Sequence, residues 1–220
     1  MYFKKYILIF IIFTYSLSAT TFRDLIMMRM AVFGNIITFA YHVIESDNKD
    51  TENAILEEFS MLYFKGNEFA PHSFLKDDRL SLSGETHYVV ENNYFTLTNN
   101  IEFSVMRWNS YSHEITNKSK ANLSGFIYSL TPMFRYHFKK FPSSKLKPFF
   151  ELGVGGSIID NIIVEERNKS TQFQFNDNIG MGFEYGRYIF GYRFIHYSNL
   201  NIKTPNPSID LHHIYFGFKF

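Results

Sequence analysis

The sequence has no cysteine among its 220 residues, which excludes both a disulfide framework and a thiolate metal site. Net charge is also nearly absent, since 22 basic and 21 acidic residues leave a formal charge of +1, and this argues against a nucleic-acid-binding protein. Beyond the N-terminus there is no apolar run of the about 20 residues that a membrane-spanning helix needs. If the mature chain crosses a membrane, it must therefore do so as a closed β-barrel.

The N-terminus has the pattern of an export signal. Lys4 and Lys5 precede an apolar run over residues 6–15, and small residues follow up to Ala19. The alternative, a membrane anchor, is disfavoured because the apolar run is too short to span a bilayer. We therefore predict a signal peptide over residues 1–19.

Aromatic residues make up 19% of the chain, and from about Asn93 large apolar residues occupy every second position. The intervening positions are mostly Gly, Ser, Asn and Gln with isolated charges, a composition that suits the polar interior of a narrow barrel. Six strands are evident by this pattern, and two more are placed less securely near residues 79–90 and within 55–63. The pattern predicts an all-β fold, an eight-stranded antiparallel transmembrane β-barrel of the bacterial outer membrane. Residues 79–220 would form its main part, and residues 20–78 an N-terminal extension with a first strand.

The C-terminus supports the membrane barrel. Phe216, Phe218 and Phe220 alternate to the last residue. This resembles the C-terminal signature by which the barrel insertion machinery reads outer-membrane proteins, so we expect that machinery as a partner. The alternative is the terminal strand of a soluble β-sandwich, for which the protein would be found in the soluble periplasmic fraction.

Three polar residues fall on the apolar face of the last two strands. His196 and Ser198 continue the series of even positions after Phe194, and Asp210 begins the equivalent series of the final strand. Because consecutive antiparallel strands bring such positions side by side, we expect the three to be neighbours on the lipid-facing wall. A hydroxyl nucleophile, an imidazole base and an orienting carboxylate are the components of a hydrolytic triad.

The topology predicts the depth of this group. If the chain ends in the periplasm, the loop over residues 199–209 lies outside and the triad lies near the outer leaflet, where lipopolysaccharide carries ester-linked acyl chains. Two rivals stay open, namely His212 as the partner of the serine and Asp177 as the carboxylate. The three residues could also be rim residues of an inert barrel. The remaining histidines lack metal-ligand spacing, so no metal site is predicted.

The run His196-Tyr197-Ser198-Asn199, followed by residues 202–206 and by Asp210, resembles the lipid A 3-O-deacylase family of outer-membrane barrels. Residues 147–155 and 173–180 are similar to the two preceding strands of that family, so the resemblance covers roughly residues 123–220. It implies an eight-stranded barrel that removes the 3-hydroxyacyl chain esterified at position 3 of lipid A.

The resemblance also implies a role for each site residue. His196 would be the base, Ser198 the nucleophile and Asp210 the orienting acid. Asn206 matches an asparagine that helps to stabilise the oxyanion, and Asn199 lies beside the nucleophile, where its amide would contribute. The expected substrate is lipid A within lipopolysaccharide, with no metal and no organic cofactor. A homodimer is an additional arrangement to consider.

The sequence departs from the family pattern at two places. The family commonly has glutamate where this chain has Asp210, and small residues where it has Leu200 and Asn201. Loss of glycine there could disturb a backbone donor for the oxyanion. The competing hypothesis is therefore a small non-catalytic outer-membrane barrel, with a structural or adhesion role and a degenerate site.

Overall fold

The structure is a computed structural model that describes residues 56–68, 73–86, 90–91, 93–110, 123–139 and 145–220. The predicted signal peptide over residues 1–19 lies outside these ranges, as does the extension up to residue 55. The described ranges contain no helix with the length and hydropathy of a membrane-spanning segment.

The described residues form a closed antiparallel barrel of eight long strands, as the sequence predicts. Each strand pairs with its neighbour in the chain, and the final strand pairs with the first to close the barrel. A two-residue strand, Val90–Glu91, pairs with the start of the third strand, and a small hairpin joins Ile163–Val164 to Arg167–Asn168. The barrel strands are β1 Leu56–Glu68, β2 Leu75–Thr86, β3 Phe95–Ser110, β4 Ser124–Phe138, β5 Leu146–Ile159, β6 Phe173–Tyr185, β7 Tyr188–Ser198 and β8 Ile209–Lys219.

The first two strands differ in their bounds from the sequence expectation. β1 continues to Glu68 and β2 begins at Leu75, whereas the pattern placed these strands within 55–63 and near 79–90. The apolar alternation of β1 is interrupted at Lys65, Gly66 and Asn67. The last residues of the strand therefore have no alternating hydrophobic pattern by which the sequence could predict them. The boundary expected at residue 79 falls inside β2, and we propose β1 as the start of the barrel.

The outward face is the apolar one. Along β8, Ile214, Phe216 and Phe218 are exposed, while Leu211, His213 and Tyr215, which occupy the alternate positions, are buried in the lumen. Alternation of side chains along a strand, combined with closure of the sheet, produces these two faces. The aromatic C-terminal pattern thus lies on the outer wall.

The lumen is filled by polar side chains, including a buried network of ion pairs. The guanidinium of Arg193 donates to Glu102 at 2.9 Å and to Glu151 at 2.8 Å. Arg79 also pairs with Glu102, at 2.6 Å, and Arg135 pairs with Glu151 at 3.0 Å. Buried charges are tolerated when opposite charges and hydrogen bonds surround them. The network connects five of the eight strands, β2, β3, β4, β5 and β7.

One end of the barrel carries the candidate site, and we call it the site end. It is where β1, β3, β5 and β7 finish and where β8 begins. The register places Glu68, the last residue of β1, opposite Leu211 of β8. The connection over residues 199–208 and the short hairpin over residues 163–168 therefore lie at the same end as His196 and Asp210.

Candidate active site

His196 and Asp210 are directly opposite each other on β7 and β8. Their side chains are joined by a hydrogen bond of 2.6 Å between Nδ1 of the imidazole and Oδ1 of the carboxylate. The second carboxylate oxygen, Oδ2, accepts a hydrogen bond of 3.2 Å from the hydroxyl of Ser208. The aspartate side chain is therefore long enough to reach the histidine.

Ser198 is two residues after His196, at the end of β7, so both side chains belong to the outward face of the strand. Each of the two residues is only 6% exposed. Within the described part of the chain, no hydrogen bond joins the Ser198 hydroxyl to the imidazole. The structure thus pairs the histidine with the acid and places the serine next to that pair along the strand.

The two rival residues have other positions. Asp177 of β6 lies opposite His196 on the other side from Asp210, and it is fully buried. The hydrogen bond of the imidazole Nδ1 nevertheless goes to Asp210. His212 accepts or donates a hydrogen bond of 2.5 Å at Nδ1 with the Tyr192 hydroxyl, and it stacks at a tilt on Phe194. The geometry favours Asp210 as the partner of His196.

Asn199 organises the connection that follows the nucleophile. Its side-chain amide donates to the main-chain oxygens of Lys169 at 3.0 Å and of Lys203 at 2.8 Å, and the residue is completely buried. Its main-chain N–H donates to Oδ1 of Asn206 at 2.9 Å. All three N–H donors of Asn199 are therefore engaged inside the protein.

The side chain of Asn206 is bonded to the backbone next to the nucleophile. Its Oδ1 contacts the residue directly after Ser198, and one N–H of its Nδ2 donates to Asn201 at 3.2 Å. The second N–H of that group has no acceptor among the residues that the structure describes. The two asparagines expected from the sequence are thus brought together, but they differ in how many donors they retain.

Leu200 and Asn201 both adopt the left-handed backbone conformation, with φ values of 56° and 59°. This region favours glycine, and among other residues asparagine enters it most readily. The preference for small residues at these positions therefore has a conformational basis. In this chain the backbone follows the left-handed path with a leucine and an asparagine in place.

Three charged residues near the site, Glu68, Arg167 and Lys169, are not marked by any pattern in the sequence. Glu68 accepts a hydrogen bond of 3.1 Å from the main-chain N–H of Asp210, although the two residues are 142 positions apart. Arg167 binds Glu68 and also donates to the main-chain oxygen of Ser208 at 3.1 Å. Such long-range contacts form only when the barrel closes, so the sequence alone does not predict them.

Lys169 is the third of these charged residues, and its side chain is fully buried. Its ammonium group donates to the main-chain oxygens of Pro207 at 2.7 Å and Ser208 at 2.9 Å. Burial lowers the pKa of Lys169 to about 7. The lysine ties the residues that precede Asp210 to the hairpin of residues 163–168.

The described residues contain no group of three or more histidine, aspartate and glutamate side chains arranged to hold a metal ion. The site consists of a hydroxyl, an imidazole, a carboxylate and amide donors. Chemically, such a group can support attack of an oxygen nucleophile on a carbonyl carbon.

Comparison with known proteins identifies the family. The model of the family described as Lipid A 3-O-deacylase (PagL) matches residues 79–219. Two curated relatives are each called lipid A deacylase PagL. The protein of Pseudomonas aeruginosa is 33% identical over 90 residues, covering 40% of this chain and 50% of the relative. That of Bordetella bronchiseptica is 30% identical over 95 residues, covering 42% and 49%.

The chain thus spans about half the length of these curated relatives. A solved structure, described as the outer membrane enzyme PagL, superimposes with a TM-score of 0.63 over 72% of this chain and 98% of that one, at 23% identity. At that identity the likeness concerns the barrel fold. Because the family model covers well over half of the residues, the chain belongs to the lipid A 3-O-deacylase (PagL) family of outer-membrane β-barrels.

Proposed function

We propose that this protein is a lipid A deacylase, a carboxylic ester hydrolase that removes the 3-hydroxyacyl chain at position 3 of lipid A. The observation that carries the proposal is the hydrogen bond of 2.6 Å between His196 and Asp210 on the outward face of an outer-membrane barrel. A buried or lipid-facing polar pair is unfavourable without a compensating role. Family membership supports the substrate class.

In the proposed mechanism, Ser198 Oγ attacks the carbonyl carbon of the ester. His196 takes the hydroxyl proton through Nε2, while its Nδ1–H donates to Asp210, which fixes the ring and stabilises the imidazolium. The sugar hydroxyl leaves with the proton from His196, and an acyl-serine forms. A water molecule, deprotonated by the same histidine, then releases the 3-hydroxy fatty acid and restores Ser198.

The negative charge that develops on the carbonyl oxygen needs a donor, and we assign this role to Asn206. Its Oδ1 accepts from the main-chain N–H of Asn199, which holds the amide group beside the nucleophile at 2.9 Å from that nitrogen. The remaining N–H of Nδ2 is the candidate donor, worth about 10²-fold to 10³-fold in rate at comparable sites. Asn199, with its donors engaged, would position Asn206.

The location of the site on the barrel is consistent with a lipid substrate. Phe194 and Phe190 precede His196 on the outward face of β7, so an acyl chain in the outer leaflet can lie along the same wall. The ester would be level with the site end, where the sugar headgroup meets the acyl region. Lipid A would thus reach the site laterally from within the outer leaflet.

The test is mass spectrometry of lipid A from cells that produce the wild-type protein or Ser198→Ala. We expect loss of one hydroxyacyl mass with the wild type only, because the variant keeps the barrel and lacks the nucleophile. Folded barrel must be shown in both samples by its heat-modifiable mobility on gels. Identical lipid A from both strains would favour the non-catalytic barrel instead.

A further inference from the structure

The strongest unassigned feature is the carboxylate of Glu68, which lies behind the catalytic acid. Glu68 is the last residue of β1, and its side chain is only 2% exposed. Its Oε1 accepts a hydrogen bond of 3.1 Å from the main-chain N–H of Asp210. Glu68 therefore contacts the backbone of the residue that orients His196.

The contact occurs where regular pairing between β1 and β8 stops. The last pair in the register is Glu68 with Leu211, so Asp210 is one residue beyond the ladder. A main-chain N–H at such a position needs an acceptor when it is shielded from water. The Glu68 carboxylate supplies that acceptor and continues the attachment of β8 to β1 by one residue.

Arg167 closes a ring of contacts around Asp210. It donates to both carboxylate oxygens of Glu68, at 2.8 Å and 2.5 Å, and to the main-chain oxygen of Ser208 at 3.1 Å. The hydroxyl of Ser208 in turn donates to Asp210 Oδ2 at 3.2 Å. The backbone and the side chain of Asp210 are thus both connected to one partly buried ion pair.

We propose that Glu68, held by Arg167, is a positioning residue that fixes Asp210 for its hydrogen bond to His196. The inference rests on the proposed function, since it concerns the same reaction. Glu68 itself lies outside residues 79–219, which the family model matches. The first strand would therefore contribute to catalysis as well as closing the barrel.

Positioning of this kind acts on the reaction rate rather than on substrate binding. A small displacement of Asp210 would misalign the imidazole, and misplacement by about 1 Å can lower a rate about 10²-fold. The substrate contacts of the outer wall would stay in place. The expected signature is a lower kcat with an unchanged KM.

The test compares purified, refolded full-length barrels: wild type, Glu68→Ala, Glu68→Gln and Ser198→Ala. Glu58→Ala is the matched control, because Glu58 is also an ion-paired glutamate of β1 but lies at the opposite end, bonded to Lys219 at 3.0 Å. Two rates are measured per folded barrel, as judged by heat-modifiable mobility. They are the hydrolysis of lipid A and the labelling of Ser198 by a fluorophosphonate, which reports the reactivity of the nucleophile without the lipid substrate.

For Glu68→Ala we expect kcat and the labelling rate to fall about tenfold or more, with KM within about twofold of wild type. Glu68→Gln should recover a large part of both rates, because its amide oxygen can still accept from the Asp210 N–H. Glu58→Ala should match the wild type. Because both rates are expressed per folded barrel, a general loss of stability would not lower them.

Wild-type rates in Glu68→Ala, or equal losses in Glu58→Ala, would overturn the positioning role while Ser198→Ala remains inactive. A rise in KM at constant kcat would overturn it as well. Labelling and hydrolysis that persist in Ser198→Ala would instead overturn the proposed mechanism. If wild type is labelled at Ser198 without cleaving lipid A, the substrate proposal fails and the labelling rates still decide the role of Glu68.

Discussion

Leu200 and Asn201 carry the backbone out of β7 directly after the candidate nucleophile and its neighbour Asn199. Both have positive φ values, yet the two side chains differ in how well they tolerate that conformation. For leucine the left-handed region is unfavourable by about 1–2 kcal/mol, whereas asparagine enters it more readily because its short polar side chain can hydrogen-bond locally. The strain at this turn is therefore concentrated at Leu200.

Leu200→Gly is expected to raise the free energy of unfolding by roughly 0.5 kcal/mol. Relief of the left-handed strain exceeds the greater entropy that glycine has in the unfolded chain. Leu200 is 38% exposed, so the burial lost with its side chain offsets only part of this gain. Urea unfolding in detergent micelles would measure the change, with Asn201→Gly as a control that shifts stability less. A clear loss of stability in Leu200→Gly would contradict this explanation.

At the scale of elements, the hairpin of residues 163–168 and the connection of residues 199–208 form one attached unit. Lys169 provides the link, because its main-chain oxygen accepts from Asn199 and its ammonium group donates to Pro207 and Ser208. Ser170 adds a hydrogen bond of 2.7 Å to the main-chain oxygen of Pro205. Both ends of the connection that carries Asn206 are thereby held.

The low pKa of Lys169 predicts a pH dependence of stability. Its folded-state pKa of about 7 lies below the ordinary value of 10.5. Between these two values the unfolded chain binds a proton that the folded protein lacks, so this group makes stability rise with pH. We expect the difference in free energy of unfolding between wild type and Lys169→Met to grow from pH 7 to pH 10.

Urea unfolding at several pH values would measure that difference. Lys203→Met removes an exposed lysine from the same connection and serves as the control. A difference between wild type and Lys169→Met that stays constant from pH 7 to pH 10 would refute the prediction. A wild type that loses stability relative to Lys169→Met from pH 7 to pH 10 would also contradict it.

For the whole molecule, the ion pairs of Arg193 in the lumen connect strands that are not neighbours in the sheet. Arg193 of β7 contacts Glu102 of β3 and Glu151 of β5 across the interior. Loss of the arginine would leave two buried carboxylates with one cation fewer. Breaking a buried pair in this way typically destabilises a protein by about 3–5 kcal/mol.

Arg193→Met should accordingly lower the free energy of unfolding by about 3–5 kcal/mol, or prevent refolding in micelles. Arg107→Met is the matched control, because Arg107 is an exposed arginine of β3 on the outward face, and its loss should change stability by less than about 1 kcal/mol. Heat-modifiable mobility and urea unfolding would show both effects. Equal stability of the two variants would mean that the lumenal network does not hold the barrel together.

The sequence by itself determined the class of fold and part of the site. Period-two alternation requires two faces, and the absence of long apolar runs leaves a closed barrel as the spanning structure. The positions of His196 and Asp210 on consecutive strands were sufficient to predict their contact, because antiparallel pairing is a local property of neighbouring strands.

Only the tertiary structure decided what lies behind that pair. Glu68 reaches Asp210 because β1 and β8, which are far apart in the chain, become neighbours when the barrel closes. One side-chain donor of Asn199 meets the main-chain oxygen of Lys169, directly after the hairpin of residues 163–168, and that contact too depends on the packing of two separate loops. Periodicity assigns a side chain to a face, whereas the partner it meets there depends on closure and loop packing, which no local pattern encodes.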